Sequence, residues 1–260
     1  MNRRSFVQSL GGATMLSALA SGPAQAQPGR KTRLYRIEYF YFRQGDQGAR
    51  LNRFLSSQMP LLTKNIRTLG VFNSLIGPHV PATVILAGFS GYEEMEAARR
   101  RITQDPGYLK AHEELENGPE PPYDYADQAL LEATDFSPEI VPLKEKPKTP
   151  RVFELRVYHS PTQRQLKLLL ERFGGPEIKV FHSVGIHPIL YTTTVIGQNM
   201  PNLTYLIPFA SLADREKAWD AFGASPDWIK ARDESIARGG QIVSQSNITL
   251  LRPAAFSPIQ

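Results

Sequence analysis

Two short runs of the chain carry acid and base at alternate positions. Arg36-Ile37-Glu38 is followed by Phe40, and Glu154-Leu155-Arg156 is followed by Tyr158. A carboxylate in a pocket can take a proton, and a fixed guanidinium can hold a developing oxyanion. The same residues have a structural reading, because buried charge is costly and ion pairing is the usual remedy. Both readings stand at this level. Tyr191 and Tyr205 lie in later apolar runs, and with Glu154, Arg156 and Tyr158 they make up the predicted ligand-binding set. His159 and His187 are the candidate catalytic bases, since an unperturbed imidazole titrates near neutral pH. One closes a strand-like run and the other opens one, so the two are expected to converge at one end of a sheet.

Other chemistry is excluded or has no support. The chain has no cysteine, which removes disulfides, thiolate metal sites and a thiol nucleophile. The remaining histidines are His79, His112 and His182. None of the five forms a pair at helical ligand spacing, and His182 and His187 straddle Gly185 at a poor metal spacing. No metal and no cofactor is expected; a haem ligand from His182 or His187 has no supporting motif. Glycine-rich phosphate loops and a G-x-S-x-G elbow are missing. Arg99-Arg100-Arg101 is the one dense basic run and reads as a solvated helix face, so nucleic acid is not an expected partner.

The elements that must position these residues come twice. Asp105-Pro106-Gly107-Tyr108 returns as Ser225-Pro226-Asp227-Trp228, and Phe136-Ser137-Pro138 as Phe256-Ser257-Pro258, both at an offset of 120. Pro81 and Phe89 return at the same offset as Pro201 and Phe209, and the opening strands align at 118. Each copy reads as strand, helix, strand, strand, helix, strand. Leu34–Phe42 and Val152–Tyr158 alternate with period two. Leu166, Leu169, Leu170 and Phe173 form a helical stripe. Asp105, Ser211 and Ser225 sit where helix caps belong. Prolines among charges mark residues 141–150 as a linker. The order βαββαβ is that of a split ferredoxin-like unit with helices on one face. Two such units meeting through their sheets would cover each other. The more apolar side of each first strand is therefore assigned to the helices. Arg36, Glu38, Phe40, Glu154, Arg156 and Tyr158 are assigned to the space between the sheets. The inverted charge order then predicts opposite charges in register across a pseudo-twofold axis.

The N-terminus is read apart from the fold. Arg3-Arg4 precedes a short apolar stretch, and Ala24-Gln25-Ala26 is a small-x-small cleavage site, with the cut between Ala26 and Gln27. This resembles a twin-arginine signal peptide over residues 1–26 and predicts a periplasmic or extracellular protein. Without Arg3 and Arg4, 28 basic residues face 25 acidic ones. No membrane span is expected in the processed chain.

Phe153-Glu154-Leu155-Arg156-Val157-Tyr158, Ser211-Leu212-Ala213-Asp214-Arg215, Ser225-Pro226-Asp227-Trp228 and Ile248-Thr249-Leu250-Leu251-Arg252-Pro253 together resemble a NIPSNAP domain. The resemblance spans residues 151–260, with 31–140 as a degenerate copy. It implies an α+β fold of two ferredoxin-like units packed as an intramolecular dimeric α/β barrel, a pseudo-dimer open to further oligomerisation. It supplies no catalytic residues. Gly174-Gly175-Pro176 departs from the family by breaking the first helix of the second copy. The function expected is binding of a small, partly apolar molecule or a protein partner. The competing class implied by the resemblance is a cofactor-independent monooxygenase or isomerase.

Overall fold

The computed structural model describes residues 31–260. The expected signal peptide, with its expected cleavage after Ala26, falls outside the described residues. The strands are β1 (Leu34–Tyr41), β2 (Thr68–Ile76), β3 (Ala82–Phe89), β4 (Tyr125–Ala133), β5 (Val152–His159), β6 (Leu190–Ile196), β7 (Asn202–Phe209) and β8 (Gln245–Pro253). They close into one barrel in the order β1-β3-β2-β8-β5-β7-β6-β4. Each half contributes four strands ordered fourth, first, third, second. The halves meet at two antiparallel seams, β2 with β8 and β4 with β6.

Helices cover the outside. The first half carries α1 (Gln47–Asn65), α2 (Tyr92–Thr103) and α3 (Pro106–Glu116). The second carries α4 (Gln163–Arg172), α5 (Ile178–Ser183), α6 (Leu212–Gly223) and α7 (Pro226–Gly239). The expected caps form: Asp105, Ser211 and Ser225 accept from the backbone N–H of Tyr108, Asp214 and Trp228. The Gly174-Gly175-Pro176 segment does not break its helix. Phe173–Glu177 is a π-turn that joins α4 to α5, a wider coil that absorbs the proline without ending the element. No helix among the described residues is long and apolar enough to cross a membrane.

Three apolar clusters hold the molecule. One fills the barrel, with Tyr35, Ile37, Phe72, Phe153, Leu155 and Leu251 among its members. The others lie between barrel and helices, one in each half. This corrects the assignment of strand faces. Tyr35 and Ile37, with Phe153 and Leu155, point into the barrel, while Arg36, Glu38, Phe40, Glu154, Arg156 and Tyr158 point outward under the helices. The reason is closure. In an open two-layer sheet the apolar face belongs to the helices, but the narrow interior of an eight-stranded barrel must be packed with side chains and cannot hydrate charges. The expected pairing of charges between halves does not form either. Arg36 pairs with Glu38 and Arg156 with Glu154, each along its own strand.

Candidate functional site

The helix-covered face of the second half gathers five of the predicted residues. Glu154 is 0% exposed. Its carboxylate accepts from Arg156 Nη1 at 2.8 Å, Arg215 Nε at 2.7 Å, Arg215 Nη2 at 3.2 Å and Trp219 Nε1 at 2.9 Å. Arg215 and Trp219 are i, i+4 neighbours on α6, which places both over β5. The Arg156 guanidinium stacks 4.1 Å from the Trp219 ring centroid and 5.2 Å from that of Tyr158. Tyr158 and Tyr191 pack against Tyr205. The Tyr191 hydroxyl is buried without a hydrogen-bond partner, and the buried Tyr205 hydroxyl faces that of Tyr158. Burial pushes the Tyr191 and Tyr205 phenols well above their ordinary pKa, so they stay neutral.

A second buried ion pair lies beside this cluster. Arg172 Nε donates to Glu177 at 2.7 Å, and Arg172 Nη1 donates to Ser235 at 3.0 Å. Their spacing of five residues fits the π-turn between them. Burial pushes the Glu177 carboxyl up to about 7, against the opposing pull of Arg172. An open cavity of about 210 Å³ reaches Tyr158 and Arg172 past Trp228 and Arg232.

The two candidate histidines do not meet. β5 and β6 both pair antiparallel with β7, so they run parallel. His159 ends β5, whereas His187 precedes β6, so they lie at opposite ends of the barrel, on the order of 20 Å apart at the usual strand rise. His159 Nδ1 is 3.0 Å from the Asn199 carbonyl. His187 is exposed, and its ring lies 5.1 Å from that of His182, tilted by 31°. Burial, and then the neighbouring His187, hold the His182 pKa down. Among the described residues, no group of three acidic or histidine side chains could hold a metal ion.

The first half has an emptier space in the same place. A cavity of about 270 Å³ opens between β1 and the three helices. Its floor is the Arg36–Glu38 pair at 2.9 Å, and its walls include Phe40, Phe54, Tyr108 and His112. Arg36 Nε is buried and has no hydrogen-bond partner. Tyr108 and His112 stack at 5.8 Å, and Phe54 meets both edge-on. Burial, then the nearby Glu38, push the Tyr108 pKa up. Sequence reasoning gave no site role to Tyr108, His112, Arg172, Glu177, Arg215 or Trp219. The i, i+4 pair Arg215/Trp219 was a readable signal.

A closed eight-stranded α+β barrel with outer helices is the fold of dimeric α/β-barrel monooxygenase-like proteins. Similar solved structures include a candidate monooxygenase from Lactobacillus acidophilus NCFM (12% identity, TM-score 0.54, covering 86% of this chain and 94% of that one). Another candidate monooxygenase, from Fusobacterium nucleatum, is 7% identical with a TM-score of 0.56 over 86% of this chain and 93% of its own. An anthrone oxidase-like protein is 14% identical with a TM-score of 0.54 over 88% and 93%. At these identities the likeness is one of fold. Within the fold, residues 153–258 match the NIPSNAP family model. No curated protein matches the sequence.

Proposed function

We propose that this chain binds a small, partly apolar molecule carrying an anionic or carbonyl oxygen, in the helix-covered cavity of its first half. One observation carries the reading: the buried, unpartnered Arg36 Nε floors a cavity with mainly apolar walls, whereas Arg156 Nε, unpartnered too, lies against the Trp219 and Tyr158 rings. A buried donor without an acceptor costs about 1–3 kcal/mol, and a ligand oxygen removes that cost. The halves are read as two ferredoxin-like units in tandem, the second a NIPSNAP domain. In that unit Glu154, Arg156 and Tyr158 serve as a structural anchor, because four donors leave the Glu154 carboxylate no free lone pair.

The test is calorimetric titration with small aromatic carboxylates and phenols, alongside mass spectrometry of what co-purifies with the protein. Arg36→Met is expected to weaken binding about tenfold or more. Binding that survives Arg36→Met unchanged, or that is lost instead in Arg156→Met with the fold intact, overturns the site.

A second reading has its own support. Glu38 and His112, two groups able to take a proton, share the cavity wall with Tyr108. The candidate monooxygenases of the same fold motivate a cofactor-independent oxygenation or isomerisation of a hydroxylated aromatic there. Oxygen consumption with such compounds, lost in His112→Gln, would support it. For location, the twin-arginine reading proposes export to the periplasm. Arg3→Lys with Arg4→Lys should leave precursor in the cytoplasm, and undiminished export would refute the proposal.

A further inference from the structure

The inside of the barrel changes character along its axis. At one end, Tyr35, Phe72, Phe153 and Leu190 fill it, and Ile140 and Ile259 close it off. At the other end, beside the β2–β3 and β6–β7 hairpins, the same alternation of strand residues turns inward side chains that are polar. Here a cavity of about 270 Å³ is lined by Tyr39, Tyr41, Asp127, Asn202, Asn247 and Thr249, among others. Its base is apolar, formed by Ile37, Leu131, Leu155 and Val157. This space is separate from the helix-covered cavity, because β1 presents Tyr39 and Tyr41 to one and Arg36 and Glu38 to the other.

The charge of the lining is one-sided. Asp127 is its single carboxylate, and it holds no lysine or arginine. Asp127 makes no ion pair among the described residues, although it is only partly exposed. Several neighbours are already committed. Asn202 Oδ1 accepts from Thr194 and Thr204, and its amide donates to the Asn199 carbonyl. That wall is fixed and neutral. Tyr39 and Tyr41 stack with ring centroids 6.2 Å apart and planes 5° apart, and Tyr41 meets His79 at 5.3 Å. Burial raises the pKa of both phenols, helped at Tyr39 by Tyr41 and then Asp127, and at Tyr41, to about 12, by Asp127, whose carboxylate accepts from the Tyr41 hydroxyl, so the rings remain neutral.

A carboxylate that makes no ion pair, hydrogen-bonded to the Tyr41 hydroxyl and set beside two aromatic rings, attracts a cation through its charge and through the ring faces. It repels anions. The apolar base calls for a hydrocarbon part below the charged one. We propose that the barrel mouth is a second binding site, for a small organic ammonium ion. Its nitrogen sits beside Asp127 and the Tyr39 and Tyr41 rings, and its short alkyl part rests on Leu131, Leu155 and Val157. The volume, just under the roughly 300 Å³ at which drug-sized pockets begin, calls for a small ligand.

Calorimetric titration with n-butylamine, choline, n-butanol and butyrate at fixed ionic strength tests this. The two cations should bind at least about tenfold more tightly than butanol, and butyrate not at all. Asp127→Asn should remove that preference while the melting temperature of the free protein stays unchanged. Asn247→Asp, at an exposed lining position, should strengthen cation binding. Butanol binding as tightly as butylamine overturns the site, and so does amine binding that persists in Asp127→Asn. Ile85→Tyr, which fills the helix-covered cavity of the first half, should leave amine binding intact. Loss of amine binding in that variant would place the amine in the other cavity and refute the inference, whatever becomes of the first-half ligand.

Discussion

The two helix-covered faces of the barrel share one strand order and differ in what fills them. In the second half the space over the sheet holds Tyr191, Tyr205, Trp219, Phe222 and Trp228. At positions 120 residues earlier stand Val71, Ile85, Arg99, Ile102 and Tyr108. The register agrees with the offset: Tyr191 pairs with Tyr205, and Val71 with Ile85. Four of the five positions lose an aromatic ring, and the volume reappears as the first-half cavity. The charges differ in the same way. Glu154 is surrounded by donors from two elements, whereas Arg36 and Glu38 pair with each other at side-chain exposures of 29% and 21%. One scaffold therefore supports a packed wall on one side and an open one on the other. A handful of side chains accompanies that difference, together with the π-turn that the second half carries and the first lacks.

The sharpest way to break this comparison is to remove the buried charge on each side. Glu154→Ala strands Arg156 and Arg215 and should cost about 3–5 kcal/mol in urea unfolding. Arg36→Met should cost less than about 1 kcal/mol, the range of partly exposed pairs. Equal costs would mean that the two faces are equivalent after all. Next in size is Phe181→Ala, which opens a void among Phe173, Tyr205 and Phe222 and should cost about 3 kcal/mol. Phe54→Ala borders an existing cavity in the first half and should cost clearly less.

Grafting sharpens the contrast. Ile85→Tyr places the ring of Tyr205 in the first half. It should abolish ligand binding there while changing stability by no more than about 1 kcal/mol, because the space is already present. Binding that persists would separate the cavity from the function.

The smallest effect concerns pH. The folded Glu177 pKa of about 7 lies above the ordinary glutamate value of about 4.3. Between those values the folded protein keeps a proton that the unfolded chain releases. This group therefore lowers stability as pH rises through that window. Glu177→Gln should flatten the slope; a slope of unchanged size would assign it to other groups.

The register of the copies, the alternation of β1 and β5, and the caps at Asp105, Ser211 and Ser225 were legible because they depend on local spacing. The strand faces were not. Tyr35-x-Ile37-x-Tyr39 and Arg36-x-Glu38-x-Phe40 define two sides, but only closure of the barrel decides which side is inside. The opposite placement of His159 and His187 follows from strand direction, which the predicted βαββαβ order already implied by making β5 and β6 parallel. Glu177 was hidden because it meets Arg172 at i+5, a partner only where a π-turn widens the helix. The cavity in the first half was hidden for another reason: it is a difference between copies, and a degenerate match reads as lost function instead of vacated volume.

The segment 134–151 leads from β4 to β5, with Ile140 seated in the base of the barrel. Closing the β2–β8 and β4–β6 seams is therefore an event within one molecule. A barrel assembled from two separate chains comes apart on dilution, because subunit association obeys mass action. Here the tether holds each half at an effective concentration in the millimolar range, whatever the bulk concentration. The unfolding midpoint should accordingly be the same in dilute and in concentrated solution.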